Sequence, residues 1–154
     1  MKSKVRRGNK ILLVEDDPHV RNAVKMIMEF DSHEVVTAEH GGAALKLLEQ
    51  ARFDLVITDY WMPGMNGDEL AASIKQRWPD LPIILMSGSL ANANDFEPAI
   101  AGVDCLLNKP FSFDELREAA NWALERYAKR RRAGLEHPDL PGGQPDQTTD
   151  LSPL

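Results

Sequence analysis

The chain of 154 residues is 43% hydrophobic and 27% charged, which is the composition of a single domain with an ordinary apolar core. Its net charge of -6 argues against nucleic acid as the main partner, and the basic run 129–132 instead suits the C-terminal dipole of a helix. No apolar run approaches the roughly 18 residues of a membrane span, and no signal-type stretch follows the basic N-terminus. We therefore expect a cytoplasmic protein that binds neither nucleic acid nor membrane.

Short apolar segments alternate with segments of helical periodicity along the chain. The predicted strands are 10–14, 34–38, 55–58, 81–86 and 103–107. Helices are predicted to begin at Pro18, which suits a first helical turn, and at Gly41, and to span 67–77 and 113–131. A fourth helix should fall within 91–101, where Pro98 would break its interior, so we expect it to be short or irregular.

Four of the predicted strands are almost purely apolar, a pattern typical of a parallel sheet that helices bury on both faces. Right-handed crossovers then give a doubly wound α/β fold. In such sheets the functional site lies beyond the carboxyl ends of the strands. The candidate residues at those ends are Glu15, Asp16 and Asp17 after strand 1, Asp59 after strand 3, Ser87 after strand 4 and Lys109 after strand 5.

The residue types at these strand ends suit phosphoryl chemistry. Carboxylates that converge without cations repel one another, and a hard divalent cation resolves the repulsion. Mg²⁺ binds one or two carboxylates together with water and phosphate oxygens, and with a lysine it can neutralise a phosphoryl group in transfer. A carboxylate nucleophile at Asp59 would form an aspartyl phosphate. Ser87 could donate a hydrogen bond to one phosphoryl oxygen, and Lys109 could pair with another.

Four motifs at strand ends resemble those of the receiver domain of two-component response regulators. They are the acidic run after strand 1, the Asp-x-x-Met-Pro-Gly-Met-x-Gly turn of 59–67, Ser-Gly at 87–88 and Lys-Pro at 109–110. The resemblance covers roughly residues 9 to 131. It implies a flavodoxin-like, five-stranded parallel sheet of order 2-1-3-4-5 with five helices. It also implies a sensor histidine kinase or a histidine phosphotransfer protein as the partner that supplies the phosphoryl group.

The resemblance assigns roles around the metal. Asp59 is the expected phosphoacceptor. Asp16 is expected to bind Mg²⁺ directly, as are Asp59 and the backbone carbonyl of Trp61, whereas Glu15 is expected to act through water. Asp17 is a possible further metal ligand, but an acid just before a helix that opens with proline can also simply cap that helix.

The resemblance also assigns roles in switching. Ser87 is expected to be the switch hydroxyl and Lys109 the phosphate-pairing residue, with a cis bond between Lys109 and Pro110. Leu106 stands where the family often has a switch aromatic, so rotation of an aromatic ring cannot report phosphorylation here. Pro98 disturbs the predicted fourth helix, which is part of the family's usual output face.

The expected domain organisation is a flexible basic arm over 1–9, a receiver domain over 10–132 and a disordered, acidic, Pro/Gly-rich tail over 133–154. Because that tail is too short for a DNA-binding domain, we expect output through an unknown target protein or through onward phosphorelay. The chain is expected to be a monomer or a weak dimer. It is expected to be a phosphoacceptor that assists its own phosphorylation and dephosphorylation rather than an enzyme.

Other classes of function fit the sequence less well. A haloacid-dehalogenase-type phosphatase also uses an aspartyl nucleophile, but it has a second Asp two residues on, where this chain has Trp61. A dinucleotide-binding module has a Gly-rich turn after strand 1, where this chain has three acids. A docking domain of the same fold that works without phosphorylation stays open, and a phosphorylation assay distinguishes it.

Overall fold

The computed structural model describes residues 8–88 and 102–133, which form a five-stranded parallel sheet of order β2-β1-β3-β4-β5. The elements in chain order are β1 (Lys10–Val14), α1 (Pro18–Phe30), β2 (Glu34–Ala38), α2 (Gly41–Gln50), β3 (Leu55–Asp59), α3 (Gly67–Arg77), β4 (Ile83–Ser87), β5 (Cys105–Asn108) and α4 (Phe113–Arg132). Every strand pair is parallel. The predicted doubly wound α/β fold with strand order 2-1-3-4-5 is confirmed.

Helices cover both faces of the sheet because the strands are apolar on both sides. In β1, Leu12 and Val14 belong to the core beneath α2 and α3, whereas Ile11 and Leu13 belong to the core beneath α1 and α4. All four side chains are completely buried. Burying a large apolar side chain stabilises the fold by roughly 1.5–3 kcal/mol. These two cores therefore hold the carboxyl ends of the strands in place.

Side-chain caps fix where the first two helices begin. Asp17 Oδ1 accepts hydrogen bonds from the backbone N–H groups of His19 (2.8 Å) and Val20 (3.4 Å) at the start of α1. The start of α2 is capped by His40, whose Nδ1 accepts from the backbone N–H of Ala43 at 3.1 Å. Each cap satisfies a backbone donor that has no partner within its own helix, so each helix starts at a defined residue after its strand.

The starts of β4 and β5 are held together by Asp104. Its Oδ2 accepts from the backbone N–H of Ile83 and from Lys75 Nζ, each at 2.8 Å, and its own N–H donates to Ile83 O at 2.9 Å. Both strands begin two residues later than predicted, at Ile83 and Cys105. The reason is that Pro82 has no N–H to donate to a neighbouring strand, while the carboxylate and the N–H of Asp104 are already bonded to Ile83 and Lys75.

Three predictions lie wholly or largely outside the described ranges. They are the arm predicted over 1–9, of which residues 1–7 are not described, the irregular fourth helix within 91–101, and the tail predicted over 133–154, of which only residue 133 is described. The final helix, α4, ends at Arg132, one residue beyond the predicted end. Within the described ranges, no helix combines the length and the apolar character that crossing a membrane requires.

Candidate functional site

The carboxyl ends of β1 and β3 lie side by side in the sheet, and the chain leaves β1 towards β2 on one side and β3 towards β4 on the other. Glu15 directly follows β1, and Asp59 is the last residue of β3. The backbone N–H of Glu15 donates to Ala38 O at 3.0 Å, which extends the pairing of β1 with β2 by one residue. This is the switch point at which doubly wound sheets form their sites, and it brings both carboxylates to one edge.

Carboxylates of Glu15, Asp16 and Asp59 converge at this edge, and we call these three residues the acid cluster. One oxygen from each lies within 4.8 Å of the other two. Glu15 is only 1% exposed and Asp59 only 7%, whereas Asp16 is exposed. The fold therefore fixes two of the carboxylates, while the third lies at the open mouth of the site.

Lys109, in the loop after β5, reaches into the acid cluster. Its Nζ donates to Asp59 Oδ1 at 2.8 Å and to Glu15 Oε2 at 3.3 Å. Its backbone N–H donates to Ser87 O at 2.8 Å, and its bond to Pro110 is cis, as predicted. Burial is the largest single influence on the pKa of Lys109 and lowers it, but the carboxylates of Asp59 and Glu15 together outweigh burial and raise that pKa. Lys109 is therefore a charged partner of the cluster.

Negative charge in the acid cluster exceeds what Lys109 balances. Burial, the largest cause, together with the charge of Asp59, raises the pKa of Glu15 from 4.5 to about 7. The backbone N–H of Asp17, which donates to Glu15 Oε1 at 3.1 Å, and the charge of Lys109 act in the opposite direction. Glu15 is therefore partly protonated near neutral pH when no cation is bound.

Asp17 lies outside the acid cluster. Its carboxylate accepts the hydrogen bonds from the N–H groups of His19 and Val20, and these bonds lower its pKa. Of the two roles considered for this residue, metal ligand and helix cap, the geometry favours the cap.

Ser87 ends β4 beside Lys109. Its Oγ is buried, and no hydrogen-bond partner for it is found within the described residues. A buried hydroxyl without a partner is costly, and such a group is available to an incoming acceptor oxygen.

The ring of Trp61, two residues after Asp59, is 56% exposed and stands edge-on to the Tyr60 ring with centroids 4.9 Å apart.

Sequence reasoning missed residues that hold the site in shape. Thr58 Oγ1 donates to Asp59 O at 3.0 Å. Gly67 lies so close to Asp59 O that a Cβ atom would collide with it. Arg21 reaches back from α1 to backbone carbonyls of the acidic turn. Gly67 could have been found from its place in the turn motif, but the contacts of Thr58 and Arg21 leave no pattern in the sequence.

The acid cluster has the chemistry of a site for a hard divalent cation. The acid cluster offers three carboxylate oxygens, and oxygen atoms are the donors that Mg²⁺ prefers. Burial, with a smaller contribution from the charge of Asp59, raises the pKa of Glu15, and a bound cation would favour its charged form. The exposed Asp16 lies on the side that water and phosphate can reach. The residues present therefore fit a hard divalent cation such as Mg²⁺. The expected roles of Asp16 and Asp59 as direct ligands and of Glu15 through water stay predictions.

A family model for the response regulator receiver domain matches residues 11–121. The chain therefore belongs to the family of response regulator receiver domains of two-component systems.

Two relatives are similar to this chain in sequence, and one solved structure is similar to it in sequence and in fold. The response regulator protein FleR of Pseudomonas aeruginosa is 37% identical over 94% of this chain, which spans 28% of FleR. The heme response regulator HssR of Staphylococcus aureus is 34% identical over 75% of this chain, which spans 51% of HssR. The solved structure of the response regulator TrrA from Thermotoga maritima in complex with Mg²⁺-BeF is 35% identical. It has a TM-score of 0.68, and the match covers 75% of this chain and 99% of TrrA.

Proposed function

We propose that this receiver domain takes a phosphoryl group from a phosphohistidine onto Asp59, in a reaction that needs Mg²⁺, and that this controls its contacts with a target protein. The observation that carries the proposal is the 2.8 Å contact of Lys109 Nζ with Asp59 Oδ1 inside the acid cluster. A carboxylate nucleophile, a cation beside it and a buried hydroxyl with no partner among the described residues lie at one switch point, and this set suits aspartyl phosphorylation.

The phosphoryl donor is a sensor histidine kinase or a histidine phosphotransfer protein. An oxygen of Asp59 attacks phosphorus as the bond from phosphorus to the partner's histidine nitrogen breaks. The electron pair of that bond returns to the imidazole, which takes up a proton from solvent. Mg²⁺, when bound, neutralises charge on the carboxylates and phosphoryl oxygens. Lys109 then pairs with a phosphoryl oxygen, and Ser87 donates a hydrogen bond to another.

The same groups couple the site to the sheet. A phosphoryl group adds roughly -1.5 to -2 charges and three acceptor oxygens. Ser87 ends β4 and Lys109 follows β5, and their backbones are already joined by the 2.8 Å bond from Lys109 N to Ser87 O. The new charge therefore acts on the ends of β4 and β5 together. Leu106 on β5 supplies no ring to rotate, so we expect the response to consist of movement of these strand ends.

The proposal is tested by labelling with acetyl phosphate, followed by intact mass and phosphosite mapping. The wild-type protein is expected to gain one phosphoryl group with Mg²⁺ and none with excess chelator. Asp59→Asn, which is nearly isosteric, should abolish labelling and leave the fold intact. Labelling of Asp59→Asn at another residue, or equal labelling of the wild type with and without Mg²⁺, would contradict the proposal.

Asp17→Asn is the matched control, because it removes a neighbouring carboxylate and keeps an oxygen that caps α1. It is expected to be labelled like the wild type.

The competing function is a docking domain that works without phosphorylation. That function is favoured if the wild type resists labelling by acetyl phosphate and by phosphorylated kinase, while Asp59→Asn and the wild type bind the same target equally.

A further inference from the structure

Arg21, on the first turns of α1, folds back over the turn that joins β1 to α1. Its Nη1 donates to Glu15 O at 3.0 Å and lies 3.5 Å from Asp16 O. Its Nη2 lies 3.7 Å from Glu39 Oε1, just after β2. The arginine side chain is only 17% exposed, whereas that of Glu39 is 75% exposed. The guanidinium group is therefore packed against backbone, and its ion pair with Glu39 is a weak surface contact.

The two carbonyls that Arg21 contacts belong to residues of the acid cluster. Within the described ranges, no backbone N–H donates to Glu15 O or Asp16 O, and Arg21 is the side chain that donates to them, closely to Glu15 O and at longer range to Asp16 O. The neighbouring groups of the turn have other partners, since Asp17 N donates to Glu15 Oε1 and Asp17 O accepts from Arg21 N at 2.9 Å. Arg21 therefore bonds the turn through its side chain as well as its backbone.

The direction of a carboxylate follows from the direction of its backbone. A carbonyl that points at Arg21 fixes the peptide plane on which the next residue stands. Fixing Glu15 O and Asp16 O therefore restricts the Cα–Cβ bonds of Asp16 and Asp17. Asp16 is the exposed member of the acid cluster, and its neighbours do not bury it in place. Its position depends on the turn beneath it.

We propose that Arg21 is a positioning residue for the divalent-cation site: it holds the carbonyls of Glu15 and Asp16 so that the Asp16 carboxylate stays aimed at Asp59. This inference rests on the proposed function of the acid cluster. Groups that orient metal ligands typically contribute about 10- to 100-fold to metal affinity. Arg21 acts through the turn and touches neither the cation nor the phosphoryl group.

A positioning role and a simple charge effect predict opposite results. Arg21 is a cation near three carboxylates, so its removal on Coulombic grounds alone should strengthen the binding of another cation. Removal of a group that positions the ligands should weaken it. Arg21→Lys adds a second distinction, because it keeps the charge but loses the planar fork that reaches two carbonyls.

The test is Mg²⁺ titration of the metal-free protein, followed by Trp61 fluorescence and by calorimetry. We expect Arg21→Gln to weaken Mg²⁺ binding about 10-fold and Arg21→Lys to weaken it by several-fold. Lys25→Gln is the matched control, since it removes a cation from the same helix. Among the described residues, that cation forms an ion pair only with the exposed Glu29, at 3.8 Å. Lys25→Gln should bind Mg²⁺ at least as tightly as the wild type.

Hydrogen exchange of the metal-free variants supplies a second reading. The amide of Asp17 should exchange faster in both Arg21 variants and at the wild-type rate in Lys25→Gln. If Arg21→Gln does not fold, Arg21→Lys decides the question. Wild-type or tighter affinity for Mg²⁺ in a folded Arg21 variant overturns the positioning role and leaves the proposed function intact. A wild-type protein that fails to bind Mg²⁺ overturns the proposed metal site itself.

Discussion

Replacement of Glu15 by Gln should stabilise the metal-free protein at alkaline pH and have little effect at acidic pH. Glu15 is 1% exposed, and burial raises its pKa from 4.5 to about 7. Between these values the native protein binds a proton that the unfolded chain has released. Because stability falls with pH wherever the native state binds more protons, the cost of Glu15 starts near pH 4.5 and is complete above pH 7.

The size of the effect follows from the same two values. A difference of about 2.5 pH units corresponds to at most roughly 3–4 kcal/mol at 1.36 kcal/mol per unit. Gln keeps the oxygen that accepts from Asp17 N and removes the charge that burial disfavours. It also gives up the 3.3 Å ion pair with Lys109, which reduces the gain. We therefore expect Glu15→Gln to raise the free energy of unfolding by about 1–2 kcal/mol at pH 8.

The assay is urea denaturation in chelator at pH 5, 6, 7 and 8, with Glu29→Gln as the control for loss of an exposed carboxylate on α1. The difference between Glu15→Gln and the wild type should grow with pH, and saturating Mg²⁺ should abolish or reverse it. A difference that stays constant from pH 5 to pH 8, or that is largest at pH 5, would refute the reasoning.

Two further predictions concern contacts that support the site. Gly67→Ala places a Cβ atom against Asp59 O and within 2.6 Å of Leu85 Cδ1. It should lower the free energy of unfolding, measured by urea denaturation, by about 1–3 kcal/mol, and it should slow labelling of Asp59. Unchanged stability and labelling would show that the turn accommodates a Cβ atom without strain. Lys75→Met removes a partly buried ion pair with Asp104 at 2.8 Å and should cost about 1–3 kcal/mol. Arg77 lies on the same helix as Lys75, and Arg77→Met removes its more exposed 2.6 Å pair with Glu49 of α2. This variant should cost under about 1 kcal/mol. Equal losses for the Lys75 and Arg77 variants would count against a special role for Asp104.

The succession of strands and helices along the chain could be predicted from sequence because each element depends on local patterns. Purely apolar strands, Pro18 at the start of α1 and Gly67 at the start of α3 are each visible within a few residues. The meeting of Glu15 with Asp59 follows from the parallel sheet, since both residues lie at carboxyl ends of neighbouring strands. The fold class alone therefore predicts approximately where in the sheet the site lies.

Contacts between distant side chains and backbone could not be predicted in this way. His40 caps α2, and His33 Nδ1 accepts from Asn9 N at 3.1 Å, and no local pattern in the sequence indicates either contact. Arg21 reads as an ordinary helix cation, and Asp104 as a polar residue in a strand. Each of these side chains satisfies a particular backbone group, and which groups need a partner becomes known only when the chain is folded.

The link made by Asp104 also determines how β5 can move. The strand is four residues long, and it is tied to Ile83 at its start, while its other end leads to Lys109. Backbone bonds join β5 to β4 at both ends, and the carboxylate of Asp104 adds a further link at the start of the strand, so we expect a displacement to be smaller at Asp104 than at Asn108. A pull on Lys109 would therefore tilt β5 rather than slide it along β4. Labels attached near each end of β5 should report unequal distance changes, with the larger change beside the site.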